Sequence, residues 1–442
     1  MWRTDGTSIG TEIFMGSCGS NCSNEPNNTQ YLGGQLFTGT DSLGDELWFT
    51  NGLLSETKQI KDIFPGPKDG APQRFGLFKD KVYFSAKYNS TNRELWVTDA
   101  TLDGTKMLKD INSDTLVGSD PIVIGKSNDY LFFLAKTLDS GRELWKTDGT
   151  PEGTKLVKDI NPGLADGVND ITSAVVNNKF LFVANDGVHG REWWVTNGES
   201  DGTFLLKDIA LSSDFLSGYR ILLANDSIVI FWVNDLVHGR EIWRTDGTTN
   251  GTFLIKDIFP GTESSIQEYN LYSAIYKNQV FFPASDNYLN EQIWVTDGTI
   301  SGTKKLTDMY STDSFKRGLQ IINNYLYFTA ATGEYGYEVS KLLIDIPVAT
   351  QNPANPAQLN VEVYPNPNTG SFHFTGFLER PSSMQARLLD LQGRVLFTQQ
   401  FEQIDGAFLR HIEAPQLPTG LYLLNIQTEQ GTRTLPISIV KN

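Results

Sequence analysis

"RELWKTDGTPEGTKLVKDINPG", residues 142–163, returns as "REIWRTDGTTNGTFLIKDIFPG" at 240–261 and as "RELWVTDATLDGTKMLKDINSD" at 93–114. The Trp of this unit falls at positions 2, 48, 96, 145, 194, 243 and 294, with successive gaps of 46, 48, 49, 49, 49 and 51 residues. A degenerate eighth copy, "YEVSKLL" at 337–343, places Ser340 in the Trp slot. Periods of about 40–50 residues are those of propeller blades.

One unit separates into four short segments, "ITSAVVN" (171–177), "KFLFVAND" (179–186), "EWWVTNG" (192–198) and "TFLLKDI" (203–209). Each is rich in β-branched and aromatic residues and bounded by Asn, Asp or Gly, as strands and turns require. Four strands without a helical period make one antiparallel blade. Leu144 and Trp145 are both apolar although neighbours on a strand point to opposite faces. Such a strand is covered on both sides, as in a blade between two others.

The ends of the repeat region are complementary. "MWRTDG" and "GTEIF" supply the last two strands of a unit, and residues 318–343 supply the first three. Pairing them would close a ring and remove exposed strand edges. The expected fold is all-β: a seven-bladed propeller of four-stranded antiparallel blades over residues 1–346, with a small β-sandwich after it. One third-strand segment is surplus, because residues 1–5 and 337–341 compete for one position. The opening residues also have no basic start followed by an apolar run, so they are not a signal peptide. Both features lead to the expectation that the natural chain begins further upstream.

Composition bounds the function. The chain has 442 residues, is 39% hydrophobic and carries a formal charge of −16. That acidity excludes binding to nucleic acid phosphates and docking on anionic lipid. Residues 356–442 hold seven Asp/Glu against six Lys/Arg, so the first 355 account for −15 of the −16. No run of about 18 apolar residues exists, so no transmembrane helix is expected. Cys18 and Cys22 are the only cysteines. Two thiols are too few for a four-ligand zinc site; a loop disulfide suits an exported protein, with two free thiols as the alternative.

The recurring polar residues are candidates for chemistry or for scaffold. The Asp of "TDGT" occupies Asp5, Asn51, Asp99, Asp148, Asn197, Asp246 and Asp297. Asn replaces it twice, which removes a charge a cation would need but suits a side chain capping its own turn. The Glu before Leu-Trp is Glu46, Glu94, Glu143, Glu192, Glu241 and Glu338, with Gln292 once, and Arg93, Arg142, Arg191 and Arg240 precede it. A catalytic carboxylate is one specialised group, not one per blade. An ion pair or hydrogen bond between blades is expected instead. The "KD" pairs, Lys61-Asp62, Lys109-Asp110, Lys158-Asp159, Lys207-Asp208 and Lys256-Asp257, decaying to Thr307-Asp308, fall on the outermost strand and are expected to be solvated edge charge.

His189 and His238 lie in "VHGRE" turns, and His373 and His411 lie in the small domain. No Ser or Cys nucleophile motif adjoins them, so turn roles are expected for the histidines. No catalytic residue, metal ligand or cofactor is assigned. The connections between units differ from one another: "FPGPKDGAPQ" (64–73), "NPGLADGVND" (161–170), "ALSSDFLSGY" (210–219) and "FPGTESSIQEY" (259–269). In a four-stranded blade these share one face with the second-to-third-strand turns, opposite the repeated "TDGT". Variation over a common frame is where a binding surface is expected.

Beyond residue 344 the texture changes. "IDIPVATQNPANPAQLN" (344–360) reads as a linker, assigned to 347–360. Short alternating segments follow over 361–442.

Two stretches carry a resemblance. "ELWxTDGTxxGTxxxKDIxPG" resembles the ELWxxDGT repeat of exported bacterial proteins. "VYPNPNTGSFHF" (363–374), "ARLLDLQGRVL" (386–396), "LPTGLYLLNI" (417–426) and "ISIVKN" (437–442) resemble, in order and position, the type A C-terminal sorting domain of type IX secretion in Bacteroidetes. The resemblance implies passage across the outer membrane, with the type IX machinery as partner and a secreted or cell-surface destination. The function expected is a non-catalytic binding or adhesion module for a surface glycan or protein. The rivals are a polysaccharide-active hydrolase or lyase on the same scaffold and a passive structural surface protein.

Overall fold

The computed structural model describes residues 2–3, 12–13, 28–112, 117–209, 219–266, 272–287, 291–307, 315–331, 337–344, 359 and 361–441. Cys18, Cys22, Asp5, Asp308, nearly all of the 347–360 linker, and most of connection 210–219 lie outside them, as do residues 267–269 of connection 259–269. The chain divides into two compact units, 1–229 with 245–252, and 230–244 with 253–442.

The repeat period is a sheet period. Six four-stranded antiparallel sheets follow chain order, over residues 28–61, 73–109, 122–158, 173–205, 220–256 and 274–305. In the sheet at 122–158 the strands are Ile122–Lys126, Leu131–Thr137, Gly141–Thr147 and Lys155–Lys158. First-to-second-strand turns use successive residues with positive φ, as at Asn177 (49°) and Asn178 (59°) or Lys277 (47°) and Asn278 (62°). This is the backbone of a two-residue hairpin whose twist matches its strands. The fold is thus all-β and consistent with a propeller.

The strands at the two ends form smaller sheets. Trp2–Arg3 pairs with Glu12–Ile13, and Phe315–Ile322, Tyr325–Ala331 and Tyr337–Leu343 form a three-stranded sheet. Tyr337–Leu343 takes the third-strand position of its sheet, as the degenerate copy "YEVSKLL" leads one to expect.

Neighbouring sheets of the first unit pack face to face by one rule. Trp96 joins Leu47 and Ile60 of the preceding sheet, Trp145 joins Leu95 and Leu108, and Trp194 joins Leu144 and Val157. Leu144 and Trp145 therefore do serve opposite joints. The Leu is 0% and the Trp 8% exposed. Burying an indole and a leucine at each joint contributes about 1.5–3 kcal/mol per side chain from transfer alone.

A recurrent bulge shapes the fourth strand. Leu144 pairs with Lys158 but Trp145 with Leu156, leaving Val157 unpaired, and the same slip occurs in the sheets at 28–61, 73–109 and 220–256. A bulge re-aims the residue beside it. Here Val157 is buried in the joint, while Lys158 swings toward the next sheet.

The small domain is a five-stranded sheet of Val361–Tyr364, Ser371–Leu389, Val395–Glu413, Gly420–Thr428 and Gly431–Ile439. The long strand Ser371–Leu389 pairs with Val395–Glu413 on one edge. Its other edge serves Val361–Tyr364 first and Gly420–Thr428 afterwards. The even-numbered Phe372, Phe374, Leu378, Met384, Ala386 and Leu388 all enter one buried core, so a single sheet curls around its inner face. Asn368 closes the curl: its N–H donates to Ser438 O at 2.9 Å, and Val440 N–H donates to Asn368 O at 2.7 Å. Where a small sandwich was expected, the strands form one five-stranded antiparallel sheet with a single buried core.

Candidate functional site

Many of the recurring polar residues have definite partners, and together they build two unlike faces. In the "TDGT" turn, Asp148 Oδ1 accepts the N–H of Thr150 at 2.9 Å and its hydroxyl at 2.7 Å. Thr147 and Thr154 hydroxyls meet at 2.8 Å beneath the turn. The following Gly149 has φ 102°, and even Ala100 in that slot adopts φ 65°. The second glycine of "DGTxxGT" is required by space. A Cβ on Gly153 would lie 2.0 Å from Asp148 Oδ1, and Gly104, Gly202, Gly251 and Gly302 stand in the same relation to Asp99, Asn197, Asp246 and Asp297. The Asp is a turn cap, and no cluster of three or more potential metal ligands occurs among the described residues.

The Glu of "ELW" works at the opposite end of the sheet. Glu143, 0% exposed, accepts the N–H of Ile160 at 3.2 Å, of Asn161 at 3.3 Å and of Gly167 at 3.0 Å. Glu46 does the same for Ile63, Phe64 and Gly70, at 2.6, 3.4 and 2.8 Å. Glu94 takes Ile111 N–H together with the N–H and hydroxyl of Ser119, and Glu241 takes Ile258, Phe259 and the Ser265 hydroxyl. All of these donors lie on the connection leaving the sheet. Burial pushes these carboxyls upward, Glu46 and Glu241 to about 7 and Glu143 to about 8, against the lowering pull of the backbone N–H donors.

The neighbouring Arg turns elsewhere. Arg93 donates to Ala71 O at 2.8 Å and Arg142 to Asp120 O at 3.0 Å, while Arg191 pairs with Asp170, all on the connection entering the sheet. Arg240 reaches Ile266 O on the outgoing side at 3.5 Å. Of the two contacts expected for the Glu, an ion pair or a hydrogen bond, the hydrogen bond forms, with its donors on the outgoing connection. In the sheets at 73–109 and 122–158, Arg holds the incoming connection and Glu the outgoing one.

Lys of the "KD" pair also departs from expectation. Lys61, Lys109, Lys158 and Lys207 are half-buried and donate to Thr105 O, Thr154 O, Thr203 O and Thr252 O of the following sheet, at 2.6–2.8 Å. Lys158 and Lys256 also lie over the Trp194 and Trp294 rings, at 5.8 and 5.6 Å. In the sheets at 28–61, 73–109 and 122–158 the Lys follows the bulge, and all four lysines clasp the neighbouring sheet rather than coat an edge. Asp110 and Asp208 are exposed, as expected for the acidic member, whereas Asp62, Asp159 and Asp257 are half-buried and depart from it.

The connection face is therefore rigid at its roots and variable at its crest. Connections lie against the second-to-third-strand turns through glycine: a Cβ on Gly141 (φ 61°) would meet Ala165 O at 2.4 Å. On the crest Leu164 is 77% and Val188 80% exposed. His189 and His238 sit in the turns expected of them. Their Nδ1 lies 2.6 Å from Asp186 Oδ2 and Asp235 Oδ2, and these carboxylates raise both imidazoles above the usual value. His373 and His411, by contrast, lie in no turn. They face each other across paired strands with ring centroids 4.6 Å apart, and burial holds His373 down to about 3.

Residues 362–440 match the family described as the secretion system C-terminal sorting domain. This match supplies the address: the chain is an exported protein whose tail engages the type IX secretion machinery. No helix among the described residues is long and apolar enough to cross a membrane. No curated protein matches the chain. Among solved structures, similarity extends to a puromycin hydrolase (11% identity, TM-score 0.33, covering 80% of this chain and 59% of that one). It extends also to a polysaccharide lyase (11%, TM-score 0.33, 75% and 91%) and to prolyl endopeptidases (12%, TM-score 0.34, 88% and 59%). Likeness at this level assigns no activity.

Proposed function

We propose that the chain is a non-catalytic binding or adhesion protein of the cell surface or secreted fraction, displayed by type IX secretion. Residues 1–346 form the seven-bladed ELWxxDGT propeller, 347–360 the linker and 361–442 the sorting domain. The observation that carries this reading is the use of the repeat's polar groups. Asp, Glu, Arg and Lys are occupied in holding backbone, and what differs between sheets is the set of connections rooted in the Glu cradles. The ligand, a surface glycan or protein, meets the connection face, where Leu164 and Val188 offer apolar contact beside polar loops.

The test is binding of the full chain to a glycan array and to surface-protein extracts, with alanine replacing 65–69 in one variant and 162–166 in another. Binding that weakens with either replacement supports the assignment. Binding that survives both, or turnover of a bound polysaccharide, contradicts it.

A further inference from the structure

The pattern of the joints lapses at the end of the repeat. Between the sheet at 274–305 and the strands at 315–343, the Trp slot holds Ser340, which pairs with Phe328 as Trp145 pairs with Phe133. The clasping Lys is replaced by Thr307, whose hydroxyl donates to Gln292 Oε1 at 2.8 Å. This joint has lost both its indole and its ammonium group.

Side chains of the sorting domain enter the core of this joint. Ala407 and Leu409, 8% and 2% exposed, belong to the same buried cluster as Phe281, Ile293, Leu306 and Phe328. Ile293 and Leu306 hold the positions that Leu144 and Val157 hold beneath Trp194. Leu409 N–H donates to Leu306 O at 3.1 Å, and the Arg410 guanidinium reaches the same carbonyl at 3.1 Å. Lys304 Nζ and Asp405 Oδ2 are 2.5 Å apart beside them. Tyr364 OH donates to Lys341 O at 2.7 Å and Lys341 pairs with Glu362 at 2.9 Å, which fixes the domain a second time.

We infer that Ala407 and Leu409 stand in for the absent indole, with Arg410 tying the tail to the carbonyl of Leu306. The sorting domain is a built-in closing piece of the last joint, and segment 405–410 is an intramolecular docking surface matched to that joint alone. The degenerate residues and the docked tail are two halves of one arrangement: where the repeat stops supplying its own wedge, the tail supplies one. A single change in 405–410 should therefore loosen a region about 100 residues earlier in the chain.

Hydrogen exchange on the full chain tests this. Leu409→Ala and Asp405→Lys should each speed exchange at 304–306 and 340–344 about tenfold or more, leaving 142–158 unchanged. Combining Asp405→Lys with Lys304→Asp should restore protection, which separates docking from misfolding. Unchanged exchange at 304–306 and 340–344 in both single variants would overturn the inference, as would a charge swap that restores nothing.

Discussion

Glu143 Oε1 accepts the N–H of Gly167 at 3.0 Å, and a Cβ on Gly167 would stand 2.2 Å from that oxygen. A buried carboxylate and a glycine 24 residues later thus specify each other. The pairing turns an irregular connection into one with a fixed root, and Glu46 and Gly70 repeat it two sheets earlier.

Removing the carboxylate should be costly. Glu143→Ala leaves the N–H groups of Ile160, Asn161 and Gly167 buried without an acceptor, a loss of about 3 kcal/mol or more. Urea denaturation would read it as a lower midpoint, and Glu143→Gln, which keeps one acceptor, should lose less.

The cradles also fix a pH dependence. Glu46, Glu143 and Glu241 have folded pKa values of about 7, 8 and 7, above the ordinary 4.5. The folded chain therefore holds protons that the unfolded chain has released. Their stabilisation is complete below about pH 4.5 and is lost as pH rises through 7 to 8. Thermal midpoints should fall from pH 6.5 to 8.5, with a shallower fall in Glu143→Gln. Midpoints that rise over this range would contradict the burial argument.

The sorting domain carries the opposite sign. His373 is held neutral down to about 3, beside His411, which burial also depresses. Its contribution is present above about pH 6.5 and is lost as pH falls toward the folded value. His373→Phe should flatten acid destabilisation of the tail, read from tail amides by hydrogen exchange between pH 4 and 6.5.

Trp145 tests the joints. Trp145→Ala should cost about 3–5 kcal/mol, because the indole fills the space between Leu95, Leu108 and its own sheet. An unchanged denaturation midpoint would mean that the indole wedges nothing.

Much of this was legible in the residues, and the pattern of misses has a physical cause. The 49-residue period, the four strands, the positive-φ residue after Asp148 and the opposite faces of Leu144 and Trp145 all follow from local stereochemistry, which sequence records directly. The partners of Glu143 are main-chain N–H groups, which carry no residue code, so the residues alone left open whether this Glu forms an ion pair or a hydrogen bond. The reach of Lys158 depends on the bulge at Val157, and nothing in "KLVKDI" announces an unpaired residue. His373 and His411 meet through strand register about 40 residues apart. The docking of Leu409 was foreshadowed by Ser340 and Thr307, both visible as lapses in the repeat, but the filler comes from another domain.

The account rests on Leu of one sheet meeting Trp of the next while the motif does no chemistry. A double-mutant cycle on Leu144→Ala and Trp194→Ala, followed by chemical denaturation of the full chain, measures that contact directly. A coupling energy of about 1 kcal/mol or more is predicted, since the two side chains share one buried cluster across a sheet boundary. Strict additivity of the two losses would contradict it.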